Sequence, residues 1–121
     1  MFSYVDGAVV PADEAVISVQ SRAARFGDGV FETIRVSRAV PLHFALHQAR
    51  LTAGLKALKI PPLVQDLAEV CCALLQKNNV REGVLRIAVS RAGGSRGYLP
   101  LDSECAPFLV IEVMALPESC L

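Results

Sequence analysis

Three stretches of this 121-residue chain set a cation among groups that could grip an anion. In the first, Val30–Ser37, Phe31, Thr33 and Arg35 alternate with Glu32, Ile34 and Val36, so a hydroxyl and a guanidinium share one face of an expected strand. Such a pair is an odd choice for a core and a reasonable one for a wall facing an anionic ligand. In the second, His47, Arg50, Leu51, Gly54, Leu55 and Leu58 recur at three- and four-residue spacing, so a histidine and an arginine interrupt an otherwise apolar helical stripe. A guanidinium on a packing face costs roughly several kcal/mol unless an anion meets it. Its partner is either a carboxylate of this chain or a phosphate, which the planar fork of arginine binds in bidentate fashion. The third stretch, Gly93-Gly94-Ser95-Arg96-Gly97-Tyr98, has the flexible backbone and single cation of an anion-binding loop but lacks the Lys-Ser/Thr ending of a Walker loop. If Arg35, Arg50 and Arg96 converge, the ligand carries more than one negative group. His43 and His47 stand four apart, a spacing that can ligate zinc, yet no third ligand accompanies them, so His47 reads as a hydrogen-bonded helix residue and no metal is expected.

These residues need a frame. Gly27 and Gly29 bracket Asp28, where the backbone can take a positive φ or approach another group closely. Asp6-Gly7 between Phe2–Val5 and Ala8–Val10 predicts a hairpin with a type I′ turn. Glu14–Val19 is expected to be extended and Gln20–Ala24 a turn or short helix, whereas Arg38-Ala39 leads into a short strand at Val40–Leu42. Helices are expected at His43–Lys59, ended by Pro61-Pro62, and at Leu63–Lys77, where Leu67, Val70, Cys71, Leu74 and Leu75 form one stripe and Asn78-Asn79 a stop. Val84–Arg91 and Phe108–Met114 read as the closing strands. Strands, two helices and strands again argue for an α+β fold, a largely antiparallel sheet with two helices packed on it.

Composition narrows the function. The length suits one domain, and 12 basic against 12 acidic residues leave no electrostatic footprint for nucleic acid or an anionic membrane. A hydrophobic content of 53% exceeds what a lone small domain needs to bury, which suggests a partner surface. Cys71, Cys72, Cys105 and Cys120 show no C-x-x-C spacing and no leader precedes them, the usage of reduced thiols in a cytoplasmic protein. Cys71 reads as a small core residue.

Phe26-Gly27-Asp28-Gly29-Val30-Phe31-Glu32-Thr33-Ile34-Arg35, then His47-x-x-Arg50-Leu51, then Ser90-Arg91-x-Gly93-Gly94-Ser95-Arg96-Gly97-Tyr98 resembles, in order and spacing, the class IV (fold-type IV) pyridoxal-phosphate enzymes. These comprise branched-chain aminotransferases, D-amino-acid aminotransferases and 4-amino-4-deoxychorismate lyases. The resemblance implies that Arg50 holds the phosphate of pyridoxal 5′-phosphate and that Arg35, Arg96 and Tyr98 help bind a small anionic substrate, with Thr33 in the reacting site. Thr33, where branched-chain enzymes usually carry Gly, together with the Gly-Gly-Ser-Arg-Gly-Tyr loop, is most similar to the lyases, which release pyruvate to form 4-aminobenzoate on the way to folate. Phe26, where a tyrosine is common in the family, points the same way. The family's cofactor lysine stands in a second, larger domain, and Lys56, Lys59 and Lys77 match no such position. The resemblance therefore implies that residues 1–121 are the small N-terminal domain, inactive alone, of an enzyme whose relatives are homodimers.

Overall fold

A computed structural model describes residues 1–92 and 106–116. Apolar residues at every second position build the sheet. Ile34 and Val36 of β3 (Gly29–Ser37), Leu85, Ile87 and Val89 of β5 (Gly83–Arg91), and Leu109, Ile111 and Val113 of β6 (Pro107–Ala115) are all buried. With β1 (Phe2–Val5), β2 (Ala8–Pro11) and β4 (Val40–Pro41) they form a six-stranded sheet in the order β2-β1-β6-β5-β3-β4, every neighbouring pair antiparallel. The expected α+β architecture is the one found.

Helices α2 (Phe44–Ala57) and α3 (Leu67–Asn78) cover the face carrying those residues. Leu51 and Leu55 of α2, and Leu67, Cys71, Leu74 and Leu75 of α3, close the core. Burial pushes the Cys71 thiol up to about 12, with a smaller contribution from neighbouring Cys72, so it acts as an inert core group. Asn78 fastens α3 to the first strand: its Oδ1 accepts from Phe2 N at 2.6 Å and its Nδ2 donates to Phe2 O at 3.0 Å. The opposite face of the sheet is crossed at one end by residues 12–28, which include a 3₁₀ turn at Ala12–Glu14 and the short helix α1 (Arg22–Phe26). Among the described residues no helix is long and apolar enough to cross a membrane.

Local expectations are met in part. The Asp6-Gly7 turn has positive φ at both central residues, 41° and 108°, as a type I′ turn needs. The second helix starts four residues later than Leu63, because Asp66 caps it by accepting from Glu69 N at 3.2 Å. Residues 14–19 form no strand, and the short helix lies at Arg22–Phe26 rather than within Gln20–Ala24. Five residues are too few to show a period in the sequence; Ser21, whose Oγ accepts from Ala24 N at 3.2 Å, and tertiary contacts of Arg22 hold them.

Candidate functional site

The period of two that turns Ile34 and Val36 inward turns Glu32 inward as well, and its side chain is 7% exposed. Helix α2 can come close above it because Gly54 has no side chain: a Cβ there would stand 2.9 Å from Val30 Cγ1. That approach brings His47 and Arg50, three apart and so on one side of the helix, down onto Glu32. Arg50 Nε donates to Oε1 at 3.0 Å and Oε2 at 2.9 Å, and Nη2 donates to Oε1 at 2.7 Å. His47 Nδ1 donates to Oε1 at 2.7 Å, since an ionised carboxylate has only acceptors to offer. The Arg50 bonds hold the Glu32 carboxyl below its ordinary value; burial opposes them and the His47 bond adds to them. The guanidinium in turn is raised, first by its bonds to Glu32.

Of the two partners the sequence leaves open for Arg50, the structure shows the carboxylate, and it places the side chain at the rim of the core, 72% exposed, not within it. Two of the five guanidinium N–H groups are spent on Glu32. The remaining three have no partner among the described residues, on a side chain that is 72% exposed. That donor set fits a phosphate.

The strand's other parity carries Phe31 and Thr33, both exposed, and Arg35. Arg86 of β5 lies 4.5 Å from the Phe31 ring centroid, a cation–π contact on the same face. Arg35 Nη2 donates to Glu82 Oε2 at 3.0 Å and its Nη1 to the carbonyls of Gly83, at 3.1 Å, and of Val36. Glu82 also accepts from Arg38 N at 3.1 Å and Ser37 Oγ at 3.2 Å; the Arg38 amide leads in holding its carboxyl below the ordinary range. Arg35 and Arg50 thus stand on opposite faces of β3, each with its own carboxylate, and do not converge. Arg96 and Tyr98 lie outside the described residues.

On the same face as Phe31 is a groove of about 840 Å³, lined by Ser3, Ile17, Phe31, Arg86, Ser90 and Phe108 among others, beneath the segment that crosses the sheet. At its end the glycine turn is tight for two different reasons. Gly27 takes φ 59°, and a Cβ on Gly29 would sit 2.5 Å from Val89 O and 2.8 Å from Ser90 Cα. Between the two glycines Asp28 accepts on one oxygen, Oδ2, from Arg22 Nε at 2.7 Å and Arg91 Nε at 2.9 Å. Burial alone would raise the Asp28 carboxyl, and the two arginine bonds more than offset it, leaving it below the ordinary value.

Sequence reasoning misses both Glu32 and Arg91 as site builders. The signal is present nonetheless: each falls on the parity of a buried face, next to Ile34 in one strand and Val89 in the other, where a charge needs an opposite partner.

The sequence profile of the family described as class IV amino-transferase matches residues 29–119. The chain belongs to that family. An aminodeoxychorismate lyase of Bacillus subtilis (strain 168) is 31% identical over 120 residues, 96% of this chain and 41% of the relative. The crystal structure of a 4-amino-4-deoxychorismate lyase from Pseudomonas aeruginosa is 35% identical and superposes with a TM-score of 0.75, covering 95% of this chain and 40% of that one. A T.th. branched-chain amino acid aminotransferase, solved with pyridoxamine 5′-phosphate, is 25% identical with a TM-score of 0.83, covering 96% and 40%. The class IV fold is therefore shared across lyases and aminotransferases, and this chain spans about two fifths of the length of each of these three proteins.

Proposed function

We propose that residues 1–121 are the N-terminal, phosphate-gripping domain of a pyridoxal-phosphate-dependent class IV enzyme of the aminodeoxychorismate lyase type. The observation that carries this is Arg50 in His47-x-x-Arg50-Leu51, 72% exposed, fixed by Glu32 and with three N–H donors unspent among the described residues. Those residues fit one end of the cofactor, its phosphate. No lysine of this chain answers the other end: Lys56, Lys59 and Lys77 are exposed on or just beyond α2 and α3, away from both the groove and the Glu32 seam. When bound, pyridoxal phosphate supplies the electron sink for bond cleavage next to the substrate's amine. This chain's share is to bind and orient. Arg50 takes the phosphate, and Thr33 offers a hydroxyl from an exposed strand face. Arg35, Arg96 and Tyr98 are assigned to the substrate's carboxylates on the resemblance alone; Arg35 stands with Thr33 on the face of β3 opposite Arg50 and is paired with Glu82, an ion pair that would have to open for that role.

Thr33 supports the lyase reading; sequence identity does not separate it from the alternative, since a putative branched-chain-amino-acid aminotransferase of Methanocaldococcus jannaschii is 33% identical over 99 residues, against 35% and 31% for the two lyases. The higher TM-score of the branched-chain aminotransferase favours the alternative, aminotransferase chemistry on branched-chain or D-amino acids, but backbone likeness reports the shared fold and not the reaction. The subtype is tested by assay of the full-length enzyme: 4-aminobenzoate and pyruvate from aminodeoxychorismate are expected, and ready turnover of branched-chain 2-oxo acids without 4-aminobenzoate would reverse the ranking. The phosphate role is tested by Arg50→Ala, which is expected to weaken pyridoxal-phosphate binding about tenfold or more through loss of a charge-assisted fork; because the substitution also leaves buried Glu32 with His47 alone and so lowers stability, affinity is measured well below the melting temperature of the variant. Unchanged affinity would remove Arg50 from the site.

A further inference from the structure

Glu32 is a buried carboxylate whose hydrogen bonds among the described residues all go to one helix: His47 and Arg50 share Oε1, and Arg50 takes Oε2. Nothing in the core requires a charge at that point, since Ile34 and Val36 fill the same parity of β3 with apolar bulk. We propose that Glu32 is the positioning residue for Arg50: it holds the guanidinium by its Nε edge, so that the opposite edge stands preformed for an anion. This deepens, and rests on, the reading of Arg50 as the phosphate grip.

The geometry determines which edge is free. Glu32 occupies Nε and one N–H of Nη2, so both N–H groups of Nη1 and the outer one of Nη2 remain, and one from each nitrogen makes a second two-pronged fork at the end of a side chain that is 72% exposed. His47 completes the clamp from the same helix by taking Oε1, which keeps the carboxylate from rotating away when Arg50 is pulled outward. An anion arriving at Arg50 has no cause to displace Glu32, because a carboxylate at 7% exposure that lost Arg50 would be left with His47 alone. Two effects of Glu32 on anion binding oppose one another. Its negative charge repels the anion across the guanidinium, but Arg50 is 72% exposed and solvent screens that repulsion. Its fork freezes a side chain that would otherwise surrender its rotamer freedom on binding. Ordering wins, so Glu32 strengthens anion binding.

The test compares pyridoxal phosphate with pyridoxal as probes on the purified chain, the ratio of the two affinities isolating what the phosphate adds. Measurements are made well below the melting temperature of each variant, so that lost stability does not enter. In the unsubstituted chain the phosphate strengthens binding. Glu32→Gln, which keeps the shape but loses the charged fork, is expected to shrink that gain about tenfold, and Glu32→Asp, which keeps the charge one methylene further back, to shrink it less. A gain that survives Glu32→Gln, or grows, overturns the proposal while leaving Arg50 in place, provided Arg50→Ala abolishes the gain. A chain with no phosphate gain at all, and no response to Arg50→Ala, overturns the phosphate reading itself and the proposal with it. One measurement needs no substitution: nitrogen-15 NMR of the free chain should show restricted rotation about the Arg50 Nε–Cζ bond, and free rotation there would overturn the proposal even if the variants failed to fold.

Discussion

Asp28 joins three parts of the chain through a single oxygen, because Arg22 belongs to α1, Arg91 ends β5, and Arg91 also donates through Nη1 to Lys59 O at 3.3 Å and through Nη2 to Leu58 O. Arg91 is 6% exposed, and Asp28 is the acid that balances its charge. Asp28→Asn is therefore expected to destabilise the chain by about 3–5 kcal/mol, the usual cost of leaving a buried charge without its partner. The pH dependence has a definite sign. Asp28 and Glu32 titrate below their ordinary values of 3.8 and 4.5 when folded, so in the acid range the unfolded chain binds more protons and stability rises with pH. Their contribution is complete above roughly pH 5 and is lost as pH falls through about 4 and below. Urea midpoints measured from neutral to acid should trace that limb, and Asp28→Asn should start lower and fall less steeply; an identical limb in the variant would show that Asp28 is not one of its sources. In the sequence Asp28 is only a residue between two glycines. Its partners come from 6 and 63 residues away, and no local pattern names the second.

At the scale of elements, whatever is periodic in the sequence is legible there: the inward faces of β3, β5 and β6 and the stripes of α2 and α3 all lie where alternation or helical spacing places them. Ends are less so, because caps decide them. Asp66 with Glu69 three residues on is a start signal for α3, and the proline pair obscures it. The site residues divide along the same line, since Arg50 and Thr33 are visible by type and spacing, whereas Glu32's role depends on how closely α2 approaches β3. The turn between β3 and β4 shows both cases. Its position follows from the strands on either side, but its conformation does not, for Arg38 and Ala39 take φ 53° and 64° without a glycine or asparagine to invite it. What holds them there is tertiary: Arg38 N donates to Glu82 Oε1, and Ala39 N donates to Arg81 O at 2.8 Å. Replacing the pair by Asn-Gly keeps both amides and removes the left-handed penalty, so Arg38→Asn with Ala39→Gly should stabilise the chain by about 1–2 kcal/mol. Thermal and urea unfolding that gave no gain would mean that the turn carries no such strain.

At the scale of the molecule, and among the described residues, the sheet is layered on one face only. Helices α2 and α3 close one side, while the other bears Phe31, Arg86, Glu112 and Met114, all exposed, and a groove that the crossing segment spans only at one end. Sheets of this kind bury both faces when both are apolar, and here the second is mixed, with Val5, Ala88, Phe108 and Val110 only half-buried among polar neighbours. The crossing segment adds Val16 and Val19, 75% and 83% exposed, next in sequence to Ala15, Ile17, Ser18 and Gln20, which line the groove. Apolar surface gathered in this way is surface that meets another chain or another domain. We propose that the purified 121-residue chain self-associates through it, as a dimer or a higher oligomer, burying the open face and the Val16–Val19 stretch together. Two consequences separate this from unspecific aggregation. Light scattering should give one defined mass above that of the monomer, and Val16→Asp with Val19→Asp should return the chain to a folded monomer with an unchanged circular dichroism spectrum, since neither side chain belongs to the core. A clean monomer of the unsubstituted chain at high concentration would end the proposal; so would an oligomer that the double substitution left intact.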